Sequence, residues 1–168
     1  MIETILQDSE LSQLICEECA ENDVSVTFDG TISKDDYIIL KVDNYYNSLN
    51  IEKRPPAPDC LIVLKCKNQG FALAVVELKN IHSAQSLTLD NLIAKFETCF
   101  DDFIANRFKA ILDQDYQRIQ LIFVSNIELY KRDIGLKVKA LMSYSVYYRG
   151  KRYFVRPYMP TPAIKACY

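Results

Sequence analysis

Two short apolar runs, residues 60–66 (CLIVLKC) and 71–78 (FALAVVEL), stand close together around the turn-forming residues Lys67, Asn68, Gln69 and Gly70. Runs of this length and β-branched content predict a β-hairpin buried on both faces. From Ser86 to about Leu112 the period changes. Leu89, Leu92, Ile93, Phe96, Phe100, Phe103 and Ile104 recur at helical spacing and predict an amphipathic helix with a core-facing stripe. Residues 119–125 (IQLIFVS) predict a third buried strand. Residues 144–148 and 151–155, joined by Arg149 and Gly150, predict a second hairpin with a tight turn. The pattern also predicts a short helix near 131–142.

The first third of the chain reads less sharply. Ile5, Leu11, Leu14 and Ile15 predict a helix over 2–21, and the alternation at 24–28 (VSVTF) predicts a short strand before a turn at Asp29 and Gly30. Ser33 is placed as an N-cap, with Asp35 and Asp36 in the first turn, for a helix running to about Tyr46. Pro55, Pro56 and Pro58 exclude helix and make an extended lead-in to the first apolar run. The order β-β-α-β predicts an α/β fold, a mixed sheet with helices on its faces.

At 168 residues, 49% of them apolar, the chain suits one domain over 1–168 and excludes a disordered tail. No apolar run approaches a membrane span, and the acidic N-terminus lacks the order of a signal peptide. These readings predict a soluble cytoplasmic protein with no membrane contact. The net charge of −2 hides a polarity: residues 1–130 sum to −10, residues 131–168 to +8, and the first 33 residues contain no basic side chain. The basic C-terminal segment 131–168 is also Tyr-rich. Arg149, Lys151, Arg152 and Arg156 interleave there with Tyr144, Tyr147, Tyr148, Tyr153 and Tyr158, a composition suited to phosphates and stacked bases.

Six cysteines are scattered, and Cys16 and Cys19 form a C-x-x-C. With a single histidine, His82, and no second pair at zinc-site spacing, the expectation is free thiols in a reducing compartment.

The chemistry concentrates around Pro58-Asp59 and Glu77-Leu78-Lys79. Asp59 stands at the start of the first buried strand, and Glu77 and Lys79 share a face of the second because strand residues two apart point the same way. A charged E-x-K ending an apolar strand is costly to bury without a purpose. Two carboxylates with the Leu78 carbonyl suit Mg²⁺, and an adjacent ammonium suits a developing phosphate charge. Parity decides whether the groups meet. A two-residue loop at Asn68 and Gln69 sets Asp59 opposite Leu78 on the wrong face. A three-residue loop at Asn68, Gln69 and Gly70, with Gly70 left-handed, sets it opposite Lys79 on the right one. Glu17, Glu18, Asp36, Asp43 and Glu52 are candidates for a further acid from a preceding helix. His82, Gln85, Ser125 and Asn126 are candidates to line the cleft.

The pattern P-D…E-x-K across a buried hairpin resembles the PD-(D/E)XK nuclease superfamily, which includes type II restriction endonucleases, Holliday-junction resolvases and repair exonucleases. The motif covers residues 58–79, and the following helix and strand extend the likeness to about residue 125. The resemblance implies a restriction endonuclease-like mixed central sheet flanked by helices. It further implies Mg²⁺-dependent hydrolysis of DNA phosphodiester bonds, with Mn²⁺ able to substitute. Asp59 and Glu77 correspond to the metal-binding acids and Lys79 to the catalytic lysine. Cutting both strands requires two sites, hence a homodimer or a partner subunit. The alternative is a non-catalytic nucleic-acid-binding or regulatory subunit on a nuclease-like fold.

Overall fold

The structure, a computed structural model, describes residues 1–80, 88–126 and 139–168. Seven strands form a mixed sheet: β1 (Ile15–Cys16), β5 (Tyr37–Lys41), β6 (Cys60–Lys65), β7 (Phe71–Lys79), β8 (Arg118–Ser125), β10 (Lys151–Tyr158) and β9 (Ser145–Tyr148), in that spatial order. β5, β6 and β7 are antiparallel, whereas β7, β8 and β10 run parallel. The parallel step from β7 to β8 needs a crossover, and α3 (Leu89–Thr98) lies within it.

The inner strands bury both faces, and their side chains alternate between two cores. Leu61, Val63, Leu73, Val75, Leu121 and Phe123 face α1 (Ile2–Gln7), α2 (Val42–Ser48), α3 and α4 (Lys109–Leu112). Ile62, Leu64, Ala74, Val76, Ile122 and Val124 face the other way. There, among the described residues, the cover is not helical. It comes from the hairpin β2 (Ala20–Glu21) and β3 (Val24–Ser25), from β4 (Thr27–Phe28) paired with β11 (Ala163–Ile164), and from the C-terminal segment. The expectation of helices on both faces is corrected accordingly. The membrane expectation meets one fact: no described helix is long and apolar enough to cross a bilayer.

This thin cover explains a second correction. Cys19 is disulfide-bonded to Cys60 and Cys66 to Cys167, leaving Cys16 and Cys99 free. The expectation of free thiols therefore gives way for four of the six cysteines. Short two-residue strands bury too little to hold the termini against the sheet, and the two bridges clip them there.

Local sequence accounts for the other departures. The expected helix over 2–21 stops after Gln7, because the Asp8 carboxylate accepts the Glu10 and Leu11 backbone N–H groups and starts a 3₁₀ turn. Ser33 does cap, accepting from Asp35 N–H, but the turn it opens ends at Asp36. Ile38, Ile39 and Leu40 then form a buried strand paired with β6, since a run apolar on every side is satisfied by a sheet interior. The helix expected over 86–112 divides into α3, a π-helical stretch Cys99–Arg107 and α4. Phe108 N–H reaches back to the Phe103 carbonyl at 3.0 Å, a five-residue step. The short helix expected near 131–142 falls mostly outside the described residues.

The second hairpin forms as expected, with Arg149 (φ 49°) and Gly150 (φ 75°) both left-handed in its turn. It is bolted to the α4–β8 connection: the Tyr148 hydroxyl donates to Asp113 Oδ1 (2.8 Å), and Arg149 pairs with Asp113 (3.0 Å) and Asp115 (3.2 Å). The Tyr148 hydroxyl and the Arg149 guanidinium hold the Asp113 carboxyl below the usual range. A carboxyl depressed in the folded state contributes stability above its unfolded pKa and loses it as pH falls through the folded value. Backbone amides of β9 are therefore expected to lose hydrogen-exchange protection, as pH falls below the ordinary aspartate range, before those of β6 and β7. Simultaneous loss across the whole sheet would refute this ordering.

Candidate active site

The β6–β7 turn sets the geometry. Cys66 N–H donates to the Gly70 carbonyl, enclosing Lys67, Asn68 and Gln69, so the loop is odd as the parity argument requires. It is shifted by one residue from the expected loop. Gln69, not Gly70, takes the left-handed conformation at φ 67°. Gly70 serves close approach instead: a Cβ there would overlap the Gln117 side chain. Cys60 pairs with Val76, so Asp59, one residue beyond the ladder, falls opposite Glu77 rather than Lys79. The parity is unchanged, and Asp59, Glu77 and Lys79 line one cleft of about 750 Å³ at the end of the sheet.

Each group is held by a separate element. Asp59 Oδ2 accepts the Leu78 N–H at 2.7 Å, tying the start of β6 to the end of β7. Glu77 is buried, 4% exposed, and its Oε1 accepts from Lys95 Nζ of α3 at 2.5 Å. Its Oε2 is buried without a partner. Lys79 forms no ion pair among the described residues and opens onto the cleft and onto a small neighbouring cavity. Asp43, in the first turn of α2, also has a buried carboxylate oxygen without a partner.

Electrostatics report the crowding. Burial pushes the Glu77 carboxyl well above its ordinary value, and the Asp59 charge adds to this while Lys95 opposes it. Burial and then Asp59 also raise Asp43. Burial works against the Lys95 ammonium, yet Glu77, Asp59 and Asp43 outweigh it and hold its pKa above normal. The Lys95 ammonium thus interacts with all three carboxyls, which lie close enough to feel one another's charge. Among the described residues, no three His, Cys, Asp or Glu side chains are grouped to hold a metal ion. The donor set is two cleft carboxylates, one with an unused oxygen, beside the Leu78 carbonyl. That set matches Mg²⁺, which takes one or two carboxylates and completes its shell with water and phosphate oxygens.

Of the five candidate helix acids, Asp43 is the one whose charge acts on Lys95 and feels that of Asp59. Glu21, Asn22 and Asp23, from the β2–β3 hairpin, form one wall of the cleft, and Asn80 forms part of its rim. Asn80 donates to Asp23 (3.3 Å) and accepts from Asn126, and Asn126 lies within hydrogen-bond distance of the buried Ser125 hydroxyl. His82 and Gln85 lie outside the described residues. The basic segment is not brought into the cleft. Arg149 is engaged with Asp113 and Asp115, Lys151 sits at the hairpin tip, and Arg152 and Arg156 project from the sheet face opposite Glu77.

Lys95 is the chief residue that the motif does not reveal. Its position was nonetheless marked: Leu92, Lys95, Phe96 and Cys99 fall on one helical stripe, and a lysine in an apolar stripe needs a buried partner. No family model, curated protein or solved structure matches this chain.

Proposed function

We propose that this protein is a Mg²⁺-dependent endonuclease with a restriction endonuclease-like fold, hydrolysing DNA phosphodiester bonds at the Asp59–Glu77–Lys79 cleft. The observation that carries the reading is the odd hairpin loop, which gathers two acids and a lysine with no ion-pair partner among the described residues on one face at a solvent-open sheet end. When bound by Asp59, Glu77 and the Leu78 carbonyl, Mg²⁺, or Mn²⁺ in its place, supplies Lewis-acid polarisation of the phosphate and a more acidic water. The Leu78 N–H holds the Asp59 carboxylate in place before any substrate arrives. Lys95 fixes Glu77 by one oxygen and leaves the other free. Lys79, with no acid bonded to it among the described residues, orients the attacking water and stabilises the charge that develops on the phosphate. Cutting both strands requires two such sites, supplied by a homodimer or a partner subunit.

The acidic wall formed by Glu21 and Asp23 favours a second reading, a non-catalytic nucleic-acid-binding or regulatory subunit, because a polyanion approaching the cleft meets like charge. Incubation with supercoiled plasmid and Mg²⁺ separates the two. Nicking or linearisation supports the nuclease, whereas binding without cleavage supports the second reading.

The Lys95–Glu77 pair has its own test. Lys95→Met leaves the Glu77 carboxyl without its cation and raises its folded-state pKa further above the unfolded one. Stability from an acid raised in this way is present at low pH and is lost as pH rises from the ordinary glutamate range to the raised value. The expected cost relative to wild type is about 1.5–3 kcal/mol at pH 8.5 and less at pH 5.5, read by denaturant unfolding. A cost independent of pH would show that Lys95 acts through packing alone.

A further inference from the structure

The sheet face opposite the Glu77 side chain carries a second concavity, of about 260 Å³. Arg118, Gln120 and Ile122 are alternate residues of β8 and form its floor together with Arg156 and Tyr158 of β10. The C-terminal segment passes over it and adds Lys165. Three of its lining residues are cationic and none is acidic. Arg118 is built into the wall. Its Nη1 donates to the Ala166 carbonyl (3.2 Å) and its Nη2 to the Lys165 carbonyl (2.6 Å), leaving a buried Nε with no partner. Arg156 and Lys165 form no ion pair among the described residues. The acid that feels Lys165 is Asp29, whose carboxylate is already engaged by the Thr31 N–H and hydroxyl at 3.0 and 2.8 Å.

We infer that this pocket binds a phosphate group, carried by a nucleotide or by a nucleic-acid backbone. Two guanidinium groups and an ammonium line the pocket together with Gln120 and Tyr158, a lining richer in donors than a carboxylate needs. They match a tetrahedral dianion with several acceptor oxygens. The volume leaves room for a sugar beside the phosphate. Along β10, Arg152 and Phe154 continue the same face, with the guanidinium 4.7 Å from the ring, so a backbone seated in the pocket has a basic and aromatic path toward the hairpin. The two concavities share no lining residue, and this one does not depend on the cleft being catalytic.

The test uses the full chain and amide NMR. Titration with inorganic phosphate is expected to shift the Gln120, Ile164 and Lys165 resonances. In the double variant Arg156→Ala/Lys165→Ala, both surface changes that spare the Arg118 bonds, the affinity falls at least about tenfold. Asp59→Asn, which disables the cleft, leaves phosphate binding unchanged, so this inference and the nuclease reading fail independently. A nucleoside monophosphate that binds more tightly than a short single-stranded oligonucleotide identifies a nucleotide. The reverse order with a steep salt dependence identifies the backbone. No shift up to about 10 mM phosphate, or shifts unaltered in the double variant, would overturn the inference.

Discussion

If the proposed nuclease reading holds, cleavage of supercoiled plasmid with Mg²⁺ is expected to fall by about 10²–10³-fold when Lys79 is replaced by alanine, the range seen when one preorganised group facing developing charge is removed. Lys79 lines the cleft without an ion-pair partner among the described residues, so truncating it strands no buried acid. The fold should therefore survive, and a circular-dichroism melt checks that it does. Asp59 needs a gentler substitution. Its Oδ2 accepts the Leu78 N–H, and alanine would leave that donor without its partner. Asp59→Asn keeps an acceptor and removes the charge. It also removes the repulsion that helps raise Glu77 and Asp43, so the thermal midpoint in metal-free buffer does not fall while cleavage is lost. Loss of cleavage at unchanged stability is the signature of a functional acid held at a cost to the fold. Cleavage that persists in both variants, with wild-type rates, would remove the catalytic assignment.

The second large effect is on stability. Opening the Cys66–Cys167 bridge, by Cys167→Ser or by reduction, releases a link across a sequence separation of 101 residues. Bridges that close long loops restrict the unfolded chain most, and loss of a native one typically costs about 2–5 kcal/mol. For a chain of this length that is a drop of roughly 5–15 °C in Tm. The folded state adds to the effect. The Lys67 N–H donates to the Cys167 carbonyl at 3.2 Å, and Arg118 holds the Lys165 and Ala166 carbonyls, so the C-terminal segment leaves the β8 face when the bridge is gone. The Cys19–Cys60 bridge spans 41 residues and has the smaller entropic share. A Cys167→Ser protein that melts with the wild type would show that the tail is held by its hydrogen bonds and packing alone.

How far the structure was readable in advance depends on whether a signal is local. The β6–β7 hairpin, β8 and the β9–β10 hairpin follow from apolar runs and turn residues that lie side by side in sequence. The oddness of the β6–β7 loop follows from requiring Asp59 to share a face with Glu77. The exact register does not: Gln69 rather than Gly70 takes the left-handed conformation, and Gly70 packs against Gln117, distant in sequence. Tyr37–Lys41 was misread because Ser33, Asp35 and Asp36 are a genuine cap signal, and only pairing with β6 shows that the helix is never built. The disulfides are invisible for the same reason: nothing near Cys19 points to Cys60. Within the cleft, the motif acids and lysine were evident from their spacing. Lys95 and the Glu21–Asp23 wall reach it only through tertiary packing.

The wide helical turns of Cys99–Arg107 carry one further consequence. A five-residue hydrogen-bond step accommodates more residues per turn than an ordinary helix, so the stretch is, in effect, an insertion absorbed without a loop. Shortening it by one residue restores the usual winding and leaves the residues downstream close to their present phase, so Leu112 of α4 stays in the interior. Lys95 lies upstream of the change and keeps its place beside Glu77. The helical layer therefore has room to lose a residue here without disturbing the mouth of the cleft.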